Sequence, residues 1–209
     1  MLKLLISCLC AVLVSSSFAQ TPLSQRPLVL LDTNYGPITI RLYVDESPLT
    51  TENFLSYVRD GFYDTVLFHK VVDGFIIQAG GFTPGFKPKA SRNPIRSEAR
   101  NTLLNKRGTV AMALTTDKDS AASQFFINVV DNTDLDYTTK SGRGFTVFGE
   151  VISGMEVVDK IKKVRTKRIS IYSDLYKRNL PLHNVPEFDV VIKKASILRD
   201  LPHKNSISK

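Results

Sequence analysis

Short apolar runs of about four to nine residues, each closed by Gly, Pro, Asn or Asp, are the feature that most limits how this chain folds. They fall at Leu28 to Leu31, at Ile38, Ile40 and Leu42, and at Val66 to Val72, Phe75 to Ala79, Thr109 to Met112, Phe125 to Val130, Phe145 to Ile152 and Val190 to Leu198. Each suits a strand and is too short for an ordinary helix, and Asn34-Tyr35-Gly36-Pro37 supplies a turn between the first two. Two stretches read differently. Ser47 and Pro48 provide an N-cap and a first-turn proline, Phe54, Leu55 and Val58 share one helical face, and Gly61 stops the segment. Met155, Val158 and Ile161 mark a second helix from Met155 to Lys163. Eight strands and two helices make the fold mainly β, and periodicity alone leaves a sandwich and a closed barrel both open.

The length of 209 residues and the apolar fraction of 43% are enough for one domain with a full core. The formal charge is +8, but the twenty acidic residues are scattered among the basic ones, so no block of one sign points to nucleic acid. At the N-terminus, Lys3, the apolar run Leu4 to Val14 and the small residues Ser17 and Ala19 read as a secretory signal cut before Gln20. The apolar run is short of the roughly 20 residues a spanning helix needs. Leu5-Ile6-Ser7-Cys8 has a lipoprotein-like order but leaves almost no apolar core before the cysteine.

Cys8 and Cys10 both lie in the segment to be removed, so the mature chain would carry no thiol for a disulfide, a zinc site or a nucleophile. His69, His183 and His203 are the only histidines, none with a partner at metal-ligand spacing, so neither a metal nor a cofactor is expected, and His69 reads as structural. From Lys162 to Arg178, basic residues interleave with Ile169, Ile171, Tyr172 and Tyr176. A functional reading makes this insertion a contact for anionic lipid, polysaccharide or a partner. The plain reading, which we take, is a solvated loop between helix and strand.

Three blocks then stand out. Phe68-His69-Lys70-Val71-Val72-Asp73-Gly74-Phe75-Ile76-Ile77-Gln78-Ala79-Gly80-Gly81 resembles the cyclophilin signature, which runs from F-H-R through G-F-M to Q-G-G. Gly108-Thr109-Val110-Ala111-Met112-Ala113 and Ser123-Gln124-Phe125-Phe126-Ile127-Asn128 are similar to later motifs of that family in the same order, followed by Leu135-Asp136 and Val147-Phe148-Gly149. The resemblance spans about Leu28 to Leu198 and is nearest to the exported bacterial branch. It implies a closed eight-stranded antiparallel β-barrel capped by two α-helices. It also implies a peptidyl-prolyl cis/trans isomerase, monomeric and periplasmic, or secreted as the alternative, whose partners are proline-containing unfolded or exported polypeptides. The expected organisation is a signal peptide at 1–19, a leader at 20–27, the isomerase domain at 28–198 with the basic insertion at 162–178, and a flexible tail at 199–209.

Rotation about an Xaa-Pro bond breaks amide resonance without cleaving anything. A catalyst needs an apolar seat for the proline ring, an anchor for the carbonyl, and a donor to the amide nitrogen as it becomes pyramidal. By resemblance, Phe75, Ile76, Met112, Phe126 and Leu135 would line the seat with Phe145 at its rim. Gln78 would hold the carbonyl, Ala113 and Leu114 would offer backbone groups to the residues before proline, and Gln124 would position them. Lys70 would be the donor. The family has arginine there, whose planar fork serves two acceptors, whereas lysine is a flexible point charge, so reduced activity is expected. Asp134 and Phe145 stand where many eukaryotic members have tryptophan and histidine, which implies weak cyclosporin binding. The rival reading is a cyclophilin scaffold of low activity, acting as a chaperone or envelope-binding module.

Overall fold

Alternation along the first two apolar runs forms a hairpin. Strands β1 (Leu28–Thr33) and β2 (Gly36–Leu42) pair antiparallel, with Leu31 opposite Ile38 and Val29 opposite Ile40. The computed structural model describes residues 22–173 and 177–200, so the expected signal segment lies outside the described residues.

Helix α1 (Pro48–Arg59) follows, with the expected proline in its first turn. Ser47 holds the N-cap position but does not cap the helix: its hydroxyl donates to the Val147 carbonyl at 2.8 Å. Glu98, distant in sequence, supplies the acceptor. Its carboxylate takes the Leu49 and Thr50 amides at 3.0 and 2.8 Å and the Thr50 hydroxyl at 2.7 Å. Amides left open by the first helical turn are thus satisfied by a charge that also suits the helix dipole.

The chain continues through β3 (Val66–Val72), β4 (Ile76–Ala79), the short pair β5 (Phe82–Thr83) and β6 (Lys87–Pro88), β7 (Thr109–Met112), β8 (Phe125–Asn128) and β9 (Val147–Ser153). Helix α2 (Met155–Ile161), strands β10 (Thr166–Ser173) and β11 (Arg178–Pro186), and β12 (Val191–Arg199) complete it. Eight strands close into an antiparallel barrel in the order β1-β12-β3-β4-β8-β7-β9-β2. Closure leaves none of these strands with an open edge. Inward side chains of the barrel strands, Phe54, Leu55 and Val58 of α1, and Val157, Val158 and Ile161 of α2 form one buried cluster. No helix among the described residues is long and apolar enough to cross a membrane.

Two segments differ from the sequence expectation. The basic stretch is not a plain loop: Ile169 pairs with Leu182 and Ile171 with Leu180, which makes β10 and β11 a separate two-stranded sheet. Pro181 and Pro186 hid the second strand, because proline reads against a strand unless an edge is available, and a two-stranded sheet is all edge. The leader is tied down: Arg26 is buried and holds Glu46 through two bonds at 3.0 and 2.8 Å. The start of the tail is tied as well. Arg199 ends β12 and donates to the Arg26 carbonyl, and Asp200 pairs with Arg59, while 201–209 lie outside the described residues.

Candidate active site

Registers of five neighbouring strands place five residues in one row across the barrel wall. Lys70 of β3 is opposite Gln78 of β4, Gln78 opposite Phe126 of β8, Phe126 opposite Ala111 of β7, and Ala111 opposite Val147 of β9. Successive strand residues face opposite sides. The neighbours Ile77, Ile127, Val110 and Phe148 therefore fill the barrel interior while the row faces outward.

Around this row lies a second apolar cluster, separate from the interior. Ile76, Ala111, Phe126 and Val147 are its buried floor, and Tyr43, Phe75, Leu103, Ala113, Leu135 and Phe145 pack partly exposed around it. The Phe126 and Phe145 rings meet edge to face with centroids 5.5 Å apart. Phe145 donates its amide to the Leu135 carbonyl at 2.9 Å, which brings these two rim residues together although ten positions separate them in sequence. Asp134 sits exposed in the short 3-10 turn Thr133–Leu135.

The polar end of the row is Lys70 and Gln78, with Gln124 beside them. Gln78 donates its Nε2 to Gln124 Oε1 at 2.8 Å, which fixes the orientation of both amides. Close approach of β4 to the segment carrying Gln124 requires glycine: at Gly80, with φ +96°, a Cβ would lie 2.3 Å from the Ser123 carbonyl oxygen. Next to Lys70 the His69 ring is buried, packed edge to face on Phe82 at 4.9 Å, with Nδ1 finding no hydrogen-bond partner among the described residues. Burial, helped by the adjacent Lys70 charge, pulls its pKa from 6.5 down to about 4, so the imidazole is neutral at ordinary pH.

Of the residues singled out from sequence, Lys70, Phe75, Ile76, Gln78, Ala113, Gln124, Phe126, Leu135 and Phe145 come together on this outer face. Leu114 follows Ala113 but packs on the interior cluster, so it adjoins the recess through its backbone. Met112 is corrected: with Ala111 facing outward, strand alternation turns Met112 inward, where it is wholly buried in the core and lines no recess. Ala113 donates its N–H to the Gln124 carbonyl at 2.9 Å, so the backbone group it can offer is its carbonyl.

Sequence reasoning missed a buried amide network beneath the rim. Asn132 donates to the Phe75 carbonyl at 2.9 Å and to Asn128 Oδ1 at 2.7 Å. Asn128 in turn donates to Asn105 at 3.2 Å and to the Thr109 hydroxyl at 2.9 Å. Asn105 donates to Asp136 Oδ1 from its backbone at 2.6 Å and from its side chain at 3.0 Å. This chain clamps the Phe75 turn and the Leu135 turn to the same strand. Its signal was present in Asn128, a fully amide-bearing residue inside an otherwise apolar strand, and in Asp136 directly after Leu135.

Comparison with known proteins agrees with this architecture. Residues 28–196 match the family described as "Cyclophilin type peptidyl-prolyl cis-trans isomerase/CLD". The chain is 48% identical over 172 residues to peptidyl-prolyl cis-trans isomerase B of Escherichia coli strain K12, covering 81% of this chain and 99% of that one. It is 43% identical over 185 residues to peptidyl-prolyl cis-trans isomerase A of Dickeya dadantii, covering 88% and 90%. Among solved structures, a cyclophilin-type isomerase of Cryptosporidium parvum shares the fold with a TM-score of 0.68 at 24% identity, over 84% of this chain and 99% of that one. That protein has also been crystallised in the presence of the dipeptide Ala-Pro, a structure whose TM-score to this chain is 0.67. The chain belongs to the cyclophilin-type peptidyl-prolyl cis-trans isomerases.

Proposed function

We propose that this protein accelerates rotation of Xaa-Pro bonds in exported polypeptides, and that the outward row from Lys70 to Val147 is where it does so. One observation carries the reading: a cationic donor, an oriented amide and an apolar floor follow one another along a single line of cross-strand partners.

The uncatalysed barrier is about 18–20 kcal/mol, and it arises from amide resonance. The recess of Ile76, Phe126, Leu135 and Phe145 holds the proline ring, and Phe75 closes its side. Gln78, its orientation set by Gln124, bonds the carbonyl of the residue before proline. As that carbonyl turns out of the amide plane, the nitrogen becomes pyramidal and its lone pair accepts a hydrogen bond from the Lys70 ammonium. An apolar seat also disfavours the charge-separated planar amide, which lowers the barrier further. No proton is transferred and no bond is broken, so no cofactor enters.

Export is supported by the N-terminal segment: Lys3, the apolar run to Val14, and small residues at Ser17 and Ala19. The mature protein then begins at Gln20 and works in the periplasm. Expression of the full chain in a bacterial host, cell fractionation and N-terminal sequencing test this; a cytoplasmic product that retains residues 1–19 would refute it.

Turnover of a proline-containing peptide tests the activity. The second reading, a weakly active scaffold that holds proline-rich chains, is favoured by Lys70 itself, because an ammonium lacks the two-pronged geometry of a guanidinium. Peptide binding without acceleration would establish that reading and overturn ours.

A further inference from the structure

A cavity outside the row lies beside the recess. It has a volume of about 430 Å³ and is lined by Arg96, Ser97, Arg100, Lys118, Asp119 and Tyr137. Its walls are the neighbours of the site. Lys118 and Asp119 belong to the loop that follows Ala113 and Leu114, and Tyr137 follows Leu135 by two positions. Arg143 Nη2 donates to the Thr115 carbonyl at 3.2 Å, which ties the turn after Tyr137 to that same loop. The other side of the loop, with Ala113, Leu114, Thr115 and Ser120, lines a second cavity that also contains Gln78 and Gln124.

Charge in the larger cavity is out of balance. Arg26, Arg41, Arg59, Arg92 and Arg107 each hold a carboxylate. Among the described residues no carboxylate pairs with Arg96, Arg100 or Lys118, and the Arg100 guanidinium is held instead over the Tyr137 ring, 5.3 Å from its centroid. Of the carboxylates nearest in sequence, Asp119 itself lines the cavity and Glu98, Asp117 and Asp136 are bonded outside its lining. Glu98, between the two arginines, is turned to the N-terminus of α1. Asp119 accepts the Ser97 amide at 2.8 Å, Asp117 accepts the Asp119 amide at 2.9 Å, and Asp136 is bonded to Asn105. Three cations therefore face one already engaged carboxylate in a concave site of side-chain size. An anion with two acceptor oxygens would satisfy such an arrangement, because guanidinium groups bind carboxylates through paired donors.

We propose that this cavity is a subsite for the carboxylate of an acidic residue, Asp or Glu, lying near the proline of the client chain. It rests on the isomerase reading, and it adds a preference for sequence around the bond. The carboxylate contacts the enzyme equally in the planar and twisted states, so its effect falls on KM and leaves kcat unchanged.

The test is a set of proline hexapeptides carrying Glu, Gln or Lys at each position in turn, assayed with the full mature protein, with the Arg96→Gln/Arg100→Gln double variant, and with added inorganic phosphate. One position is expected where Glu gives a kcat/KM about three- to tenfold above Gln, through KM, with Lys below Gln. That preference should disappear in the double variant and weaken with salt, while the all-Ala parent peptide keeps its rate. The parent peptide reports on the isomerase reading independently. The proposal is overturned if Glu and Gln are equivalent at every position, or if the preference survives the double substitution. It is equally overturned if phosphate binds at the Arg100 and Tyr137 amides, seen by NMR, yet does not compete with the Glu peptide.

Discussion

Lys70 is the direct cross-strand partner of Gln78 in the β3–β4 ladder. Side chains so paired stand with Cβ atoms about 4.5–5.5 Å apart, within reach of one substrate amide. One partner can hold the carbonyl while the other donates to the nitrogen it is twisting away from. A hydrogen bond to a charged group is worth about 1.5–3 kcal/mol, so Lys70→Ala should lower kcat/KM by roughly ten- to a hundredfold. Lys70→Arg should raise it above the wild type, because the fork geometry improves the donor. A peptide isomerisation assay on the three proteins decides; an unchanged Lys70→Ala enzyme would remove the donor role.

Phe125 and Phe126 are adjacent in sequence and serve different purposes, because β8 turns one into the barrel and the other out to the recess. Phe125→Ala should cost about 3–5 kcal/mol of stability, as a large cavity opens among Phe54, Tyr63 and Phe68. Phe126→Ala should cost less stability and more activity, chiefly through KM for the proline peptide. Denaturant unfolding and steady-state kinetics on the same two variants check the contrast; equal losses of stability would contradict the two-sided assignment.

How far the site was legible follows from what fixes each part of it. The row from Lys70 to Val147 depends on strand register, and the pairing that sets it is long range, so the sequence offers the members but not their alignment. Period-two alternation did carry the information that places Met112 inside, since Ala111 and Met112 cannot both face the recess. The motif resemblance obscured it. Helix α1 was visible from Pro48 and its apolar face, whereas its cap at Glu98 was not, because no local rule links residues about fifty positions apart. Hairpin β10–β11 was hidden by its prolines and charges.

The amide network makes Asn132 a positioning residue for Phe75. Its side chain is buried and gives both of its donor hydrogens to acceptors, the Phe75 carbonyl and Asn128 Oδ1. Asn132→Ala strands the buried Asn128 Oδ1, at a cost of about 1–3 kcal/mol, and leaves the Phe75 carbonyl held by the Val129 amide alone. The turn that carries Phe75 should loosen, so KM should rise while kcat for bound peptide changes little. Asn132→Asp keeps the shape but loses the donors and should behave like the alanine variant; wild-type KM in Asn132→Asp would show that the clamp is immaterial.

His69 ties stability to pH. Its pKa is lowered by burial to about 4 in the folded protein, against 6.5 when the chain is unfolded. Between those values the unfolded state binds more protons, so stability rises with pH across this window and falls on acidification from about 6.5 to about 4. The full difference is about 3 kcal/mol, present above the window and lost below it. His69→Gln should flatten this dependence in urea unfolding measured from pH 4 to 7.5, leaving only the general effect of the carboxylates. An equally steep profile in the variant would mean that the imidazole is not the group responsible.

The distant cap makes α1 depend on the loop that carries the cavity arginines. Glu98 accepts two main-chain amides and the Thr50 hydroxyl at the start of the helix, while Ser47 in the cap position serves the Val147 carbonyl instead. Loss of an N-terminal cap costs about 0.5–2 kcal/mol, and a charge near the helix dipole adds about 0.3–1 kcal/mol. Glu98→Ala should therefore lower Tm by roughly 3–8 °C, and Glu98→Gln, which keeps an acceptor oxygen but not the charge, should fall between it and the wild type. Because α1 packs Phe54, Leu55 and Val58 into the barrel core, the loss should be felt by the whole domain in a single cooperative transition. Calorimetry on the two variants measures it, and a Tm unchanged in Glu98→Ala would return the capping role to another group.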